Sequence, residues 1–463
     1  MKVFIQSIVA QILLNPYIFW RGYQAIPPKK SWRIPYILFF ILELSIFFFG
    51  FTFRNVLPDS VMIAIQYICN TWYIASIYIT LSLLGLEVLR LSNRFFHWFP
   101  GWITSHWKQT KLVLFFLVMA IVTGLMFHAY HVVAYPVVKD LYVTLPKGSS
   151  DRDSMTIVMM SDLHIGEMIG KELVQRYVKM SNAQHPDLVV LVGDIMDYES
   201  RFAEKAHIEE DLKQLKAPLG VYVVYGNHEY RANRIAKYRW LKKTGATLLI
   251  DSVARPDSSF YLIGRDDHIN KKRKPLHVLM AGIDTTKPII VLDHQPWSFA
   301  EMTMNGVDLG LHGHTHNGQL WPYPLVMKLI YECPYGYHKK GPVQFYVSSG
   351  IGIAGPPYRV GTVSEMIVLH IRFCQLSRMK HCLHHGDIHL HFPLQQILSL
   401  LLDYIFIDCQ RFLPISLLIK CPMHRENAVL RTSKHGIAER KVLFLSCTTY
   451  LPIGYAQSPD PNR

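Results

Sequence analysis

Residues 311–321 read LHGHTHNGQLW, in which three imidazoles recur at every second position, His312, His314 and His316. That is a large ligand capacity for so short a stretch, and groups of the same kind stand upstream, each directly after an apolar run. MTIVMM leads into SDLH, with Asp162 and His164; DLVVLV leads into GDIMD, with Asp194 and Asp197. GVYVVY leads into GNHE, with Asn227 and His228, PIIVL into DHQP, with His294, and VDLGL into HGHTH. The donors are carboxylates, imidazoles and an amide, with no thiolate among them. Such a set suits two borderline or hard divalent ions, such as Mn, Fe or Zn, better than a soft one. Two neighbouring cations repel, so they need a shared anionic ligand, and an aspartate is the natural bridge. Clamping an in-line displacement at phosphorus is chemistry that such a pair can perform.

The elements that must position these groups follow from the same runs. Four to six consecutive apolar residues make a credible buried strand, and in each case the polar group arrives as the strand ends. In α/β sheets functional groups gather beyond the carboxyl ends of strands. That rule places Asp162, His164, Asp194, Asn227, His228, His294, His314 and His316 on one rim. Helical stretches, KELVQRYVKMSNAQ and RIAKYRWLKKTG, alternate with the runs and indicate a layered α/β domain.

In their order, SDLH, GDIMD, GNHE, DHQP and GHTH resemble the motifs of the calcineurin-like metallophosphoesterases. GHTHNGQLWP and the closing SSGIGIAGPPYRVGTVSEMIVLHI are similar to the membrane-associated bacterial branch of that superfamily. The resemblance covers residues 150–373 and implies an αββα four-layer sandwich acting as a metal-dependent phosphoric ester hydrolase. It implies that Asp162, His164 and His316 hold one metal, that Asn227, His294 and His314 hold a second, and that Asp194 bridges both together with a hydroxide that attacks phosphorus. It implies that His228 protonates the leaving oxygen or stabilises developing charge, with Asp197 orienting its imidazole. Many relatives follow GDxxD with an arginine and a glycine that help bind phosphate; Tyr198 and Glu199 stand here instead. Asn317 and Gln319 are the remaining candidates for that contact. His312 is expected to pack rather than ligate, and Glu229, Asp266, Asp267 and His268 either shape the pocket or lie in solvated turns.

The first third of the chain is different. Four hydrophobic blocks, roughly 3–20, 34–53, 61–86 and 112–134, have spanning length, so a transmembrane region of about four helices is expected over 1–136. The first block is interrupted by Gln6, Gln11, Asn15 and Pro16, and no small-residue cleavage site follows it. Glu43, Glu87, His128 and His131 lie in or beside the blocks and are read as bundle-facing or interfacial groups rather than an ion pathway. The loops with Arg21, Lys29, Lys30 and Arg33 and with Arg90, Arg94, Lys108 and Lys111 belong in the cytoplasm by the positive-inside rule. The domain after residue 135 then faces away from the cytoplasm, as in an integral protein of a bacterial inner membrane.

A formal charge of +14 would suggest nucleic acid if it clustered on a soluble domain, but much of it flanks the hydrophobic blocks. The one dense run, NKKRK, reads as a solvated loop. Seven cysteines, five of them from residue 374 onward and none in a CxxC pair, give no disulfide framework or zinc knuckle. Residues 374–463 are read as an appendage or as sequence outside the functional protein, with a membrane-docking segment as the competing reading. The expected partners are the bilayer and a phosphomonoester, phosphodiester or pyrophosphate, with a lipid-linked phosphate suggested by the anchor. The alternative class is a metal-binding membrane sensor or accessory protein with a non-catalytic domain.

Overall fold

The computed structural model describes residues 2–53, 56–146 and 150–374, so the reading of the tail from 375 lies outside the described residues. All four hydrophobic blocks are helices: α1 (Lys2–Ala25), α2 (Lys30–Thr52), α3 (Asp59–Phe96) and, after the short α4 (Gly101–Ser105), α5 (Trp107–Ala134). Three of them, α2, α3 and α5, are long and apolar enough to cross a bilayer. The polar interruptions of α1 have a structural purpose. Gln11 and Asn15 donate to the buried Glu43 carboxylate on α2, at 2.6 and 3.0 Å, and the Trp72 indole of α3 donates to Asn15 at 2.9 Å. A carboxylate between apolar helices is expensive unless its lone pairs are used, so this cluster ties three helices together and agrees with the bundle-facing reading of Glu43. The two basic loops meet at one end of the bundle, where Arg21 pairs with Glu87 and Lys111 donates to the Gln24 carbonyl at 3.0 Å.

The α/β domain is built from two six-stranded sheets. The strands of the first are β1 (Val137–Pro146), β2 (Ser154–Met160), β3 (Leu188–Val192), β4 (Val221–Val224), β5 (Thr247–Leu248) and β12 (Glu365–Cys374), in the order β1-β12-β2-β3-β4-β5. The second contains β6 (Ser252–Ala254), β7 (Tyr261–Gly264), β8 (Ile289–Leu292), β9 (Leu309–His312), β10 (Gly336–Lys340) and β11 (Val343–Val347), in the order β10-β11-β9-β8-β7-β6. The helices of the domain are α6 (Lys171–Asn182), α7 (Arg201–Lys205), α8 (Ile208–Leu212), α9 (Arg234–Lys243), α10 (Leu276–Leu279), α11 (Phe299–Met304) and α12 (Tyr323–Ile330).

Alternation along the strands sets the layers. In β3, Val190 and Val192 meet Ile290, Leu292, Leu309 and Leu311 of the second sheet, while Val189 and Leu191 face Val174, Tyr177 and Trp240 of α6 and α9. On the far side, Val291 and Phe345 pack with Leu276 of α10 and Phe299 of α11. The result is the expected helix–sheet–sheet–helix stack. All five apolar runs are strands, β2, β3 and β4 in the first sheet and β8 and β9 in the second. The rim is therefore shared by two sheets. Strand β1 lies in the stretch between 136 and 150 that the sequence left unassigned, and it pairs in parallel with the whole of β12, Val137 opposite Glu365.

Candidate metal centre

Each polar group after a motif strand sits where the backbone leaves the sheet, and the turns are unusual. Asp162, His164, Asp194, His314 and His316 all have positive φ, between 48° and 74°. Non-glycine residues rarely adopt this region, and such strain collects at functional sites where surrounding structure holds it. The bends at the histidines are thus made by His314, His316 and Asn317 themselves, with Gly318 continuing the left-handed turn at φ 75°. Gly313 serves another need: a Cβ there would collide with the Ser161 hydroxyl and the Asp162 carboxylate. The turns are laced to one another, with His164 N–H donating to the Asp194 carbonyl at 3.0 Å and Gly313 N–H to the His294 carbonyl at 2.9 Å.

The structure brings the predicted residues together. Asp162, His164 and His316 present ligand atoms to a common point, as do Asp194, His294 and His314, each set within 4.8 Å. His164, Asp194 and His228 form a third overlapping set, so Asp194 stands at the join. Its Oδ2 lies 3.7 Å from His164 Nε2 and 3.2 Å from His294 Nε2. His164 and His316 turn their Nε2 atoms on each other at 3.0 Å. Asn227 Oδ1 is buried without a hydrogen-bond partner, and His294 Nε2 makes no directed hydrogen bond despite its carboxylate neighbour. Buried polar atoms without partners need an explanation, and a divalent cation supplies one: the carboxylate and imidazole atoms that converge here fit two such ions.

The electrostatics point the same way. Burial opposes charge on His294, yet the Asp194 and Asp162 carboxylates outweigh it and raise its pKa well above the usual value. Asp162 is raised by burial and by the charge of Asp194. Burial opposes the charge of Asp194 as well, but His294, His228 and His164 outweigh it and hold this carboxyl well below its usual value. His314 is pushed down to about 3, first by burial and then by His294, and burial and His164 hold His316 well below its usual value. Both are neutral imidazoles, the form that ligates metal.

His228 approaches from the side. Its Nδ1 is 2.9 Å from Asp197 Oδ1 and its ring meets the edge of His164 with centroids 4.5 Å apart. Burial raises the Asp197 carboxyl, but hydrogen bonds from His164 and His228 outweigh it and hold it below its usual value.

Other candidates fall outside the cluster. His312 is buried against Phe299, its Nδ1 on the Asp293 carbonyl at 2.6 Å, which agrees with packing. Gln319 spends its amide on the carbonyls of Ala354, Pro356 and Tyr358, so it is not free for a phosphate. His268 turns to Ser298 at 3.1 Å. The solvated-turn alternative fails for Glu229, Asp266 and Asp267, which are buried. Glu229 accepts four backbone N–H bonds, from Asp194, Ile195, Met196 and Gly226, at 2.8–3.1 Å.

Two cations escaped the sequence entirely. Lys237, inside α9, donates from Nζ to the carbonyls of His228 and Asp197 at 2.6 and 2.8 Å. Arg359 is fully buried and donates to the carbonyls of His316, Ser349, Gly350 and Gly352, and burial pushes its pKa down to about 10. Its own N–H binds the Ala129 carbonyl of α5 at 3.1 Å, so it links the bundle to the His316 turn. Arg359→Leu strands those carbonyls, and a loss of about 3 kcal/mol is expected from hydrogen bonds to a charged donor. Arg359→Lys should recover part of it. Unfolding in detergent by heat or denaturant checks both, and a wild-type midpoint for the leucine variant would refute the role.

Comparison with known proteins adds the following. The family described as calcineurin-like phosphoesterase matches residues 155–318. A Danio rerio "transmembrane protein with metallophosphoesterase domain" is 28% identical over 389 residues, 78% of this chain and 87% of that protein. An "uncharacterized metallophosphoesterase" of Helicobacter pylori is 30% identical over 351 residues, 74% of this chain and 91% of that one. Among solved structures, a dimetal phosphatase from Danio rerio aligns with 48% of this chain and 100% of its own at 13% identity, with a TM-score of 0.33.

Proposed function

The chain belongs to the calcineurin-like metallophosphoesterases, and from that premise we propose that it hydrolyses a phosphoester at a two-metal centre at the bilayer surface. Asp162, His164 and His316 hold one ion, Asn227, His294 and His314 the other, and Asp194 both. The observation that carries this reading is the position of Asp194 between two converging ligand sets, beside a buried Asn227 Oδ1 and His294 Nε2 that have no hydrogen-bond partner. Divalent ions in such a centre supply Lewis acidity, polarising a phosphoryl oxygen and lowering the pKa of water.

The remaining work falls to side chains. His228 carries the proton for the departing oxygen. With Nδ1 fixed on Asp197, Nε2 is the atom that delivers it, and the Lys237 ammonium on the carbonyls of residues 197 and 228 keeps that pair in place. Phosphate also needs a cation where relatives have the arginine of GDxxDRG. Arg231 fits that need, being exposed and near enough for its charge to help depress His314. The catalytic rim lies on the side of the membrane opposite the two basic loops, away from the cytoplasm, and the anchor favours a lipid-linked ester by raising its encounter rate.

The full-length chain in detergent is expected to bind two manganese or zinc ions and to hydrolyse bis(p-nitrophenyl) phosphate. His228→Asn should keep both ions and lose about 10²- to 10⁴-fold in kcat, the usual yield of a positioned acid. Two bound ions with no turnover of monoester, diester or pyrophosphate would instead place the protein among metal-binding sensors.

A further inference from the structure

Helix α12 departs from the pattern of the other long helices in the domain. None of its eight residues is buried, although its sequence, YPLVMKLI, is mostly apolar. Leu325, Val326, Leu329 and Ile330 are all exposed, Leu329 to 87%, and so are Trp321 just before the helix and Tyr323 at its start. A contiguous apolar patch of this kind marks an interaction surface, and a helix this short gains little stability without packing.

Its position identifies what covers it. The Trp321 carbonyl accepts the Tyr78 hydroxyl of α3 at 2.9 Å, and Leu320 packs in one cluster with Ile74, Tyr78, Val122 and Met126. The helix therefore starts on the wall of the bundle, against two span-capable helices whose own outward side chains, such as Phe127 and Tyr130, are exposed and require lipid. At its other end, Tyr331 lies beside His314, with ring centroids 6.3 Å apart, and packs at a tilt against Trp297 at 4.3 Å. The helix thus runs from the bundle to the rim of the proposed metal centre. Aromatic residues at the approach, apolar residues along the body and an exposed Lys328 are the make-up of a segment lying in a membrane interface.

We propose that α12 lies in the bilayer surface, its apolar side chains among phospholipid acyl chains, and that it guides the phosphoester of a bilayer lipid to the metal centre while the acyl chains stay in the leaflet. The second half rests on the hydrolytic reading; the first does not. In the reaction, water oxygen bonds to phosphorus, the ester P–O bond breaks with its electron pair, and the leaving oxygen takes the proton from His228. A proton of the attacking water passes to solvent.

The test uses the full-length chain in phosphatidylcholine nanodiscs containing a phosphatidylcholine with a diazirine on its acyl chain. After photolysis and peptide mapping, adducts are expected on residues 321–331 at yields comparable to the exposed face of α5, and not on α9, where Ile235 and Tyr238 are also exposed. Labelling of 321–331 no stronger than that of α9 would overturn the seating. In parallel, Leu325→Glu with Leu329→Glu should lower the ratio of kcat/KM for vesicle phospholipid to that for bis(p-nitrophenyl) phosphate by at least about tenfold, since both apolar side chains that would enter the acyl region become charged. An unchanged ratio would remove α12 from substrate delivery. A wild-type chain with adducts but no turnover of either ester would end the hydrolytic reading and leave the seating intact.

Discussion

Replacing Asp194 with Asn is expected to abolish paired metal binding and to cut hydrolysis on the order of 10³-fold, about 4 kcal/mol of transition-state stabilisation, while the protein stays folded. The backbone of Asp194 is held from elsewhere: its N–H by Glu229 at 2.9 Å, its carbonyl by His164. The amide oxygen of Asn can still accept the His228 N–H that Asp194 Oδ1 now takes at 2.7 Å. Burial opposes the charge that disappears, but His294, His228 and His164 outweigh it and hold the Asp194 carboxyl well below its usual value. The metal-free variant should therefore melt below the metal-free wild type. Added manganese should raise the midpoint of the wild type far more than that of the variant, because only the species that binds gains stability from ligand. Ion content, melting with and without metal, and turnover check the three parts. Wild-type turnover, or an equal metal-dependent rise in both proteins, would remove Asp194 from the centre.

Glu229→Ala should be the most destabilising single change at the site. Its two oxygens satisfy four N–H groups on the turns after β3 and β4, and it is fully buried. Alanine leaves those donors without partners at roughly 1–3 kcal/mol each, so a loss of about 4 kcal/mol or more is expected even with water entering the gap. Gln should rescue little, because its amide would turn a donor toward N–H groups that are donors themselves. Metal affinity should fall with stability, since the same N–H groups set the positions of Asp194 and Asn227. A Glu229→Ala protein with a wild-type midpoint and two ions would show that the turns hold without it.

Much of this was legible along the chain. A buried parallel strand announces itself by a short apolar run, and a spanning helix by length, so β2, β3, β4, β8, β9 and the membrane helices could be read locally. Strand β1 could not: its outer face carries Asp140 and Tyr142, Lys139 interrupts its inner face, and its pairing with β12 lies more than two hundred residues away. The proposed metal ligands were readable because ligating side chains are chemically distinctive. The residues that hold those ligands were not, because their partners are backbone groups, which every residue has.

By itself, then, the sequence determined which side chains could bind cations, that strands end where those side chains begin, and that the first third is built for a bilayer. Each of these is a property of neighbours in the chain. Only the folded structure decided that two sheets share the rim, that Glu229, Lys237 and Arg359 brace it, that Gln319 is spent on carbonyls, and that α12 presents its apolar side chains outward from the bundle to the metal centre. The reason is physical: those facts depend on which backbone carbonyls and N–H groups, brought together from distant segments, are left in need of a partner once the layers have packed.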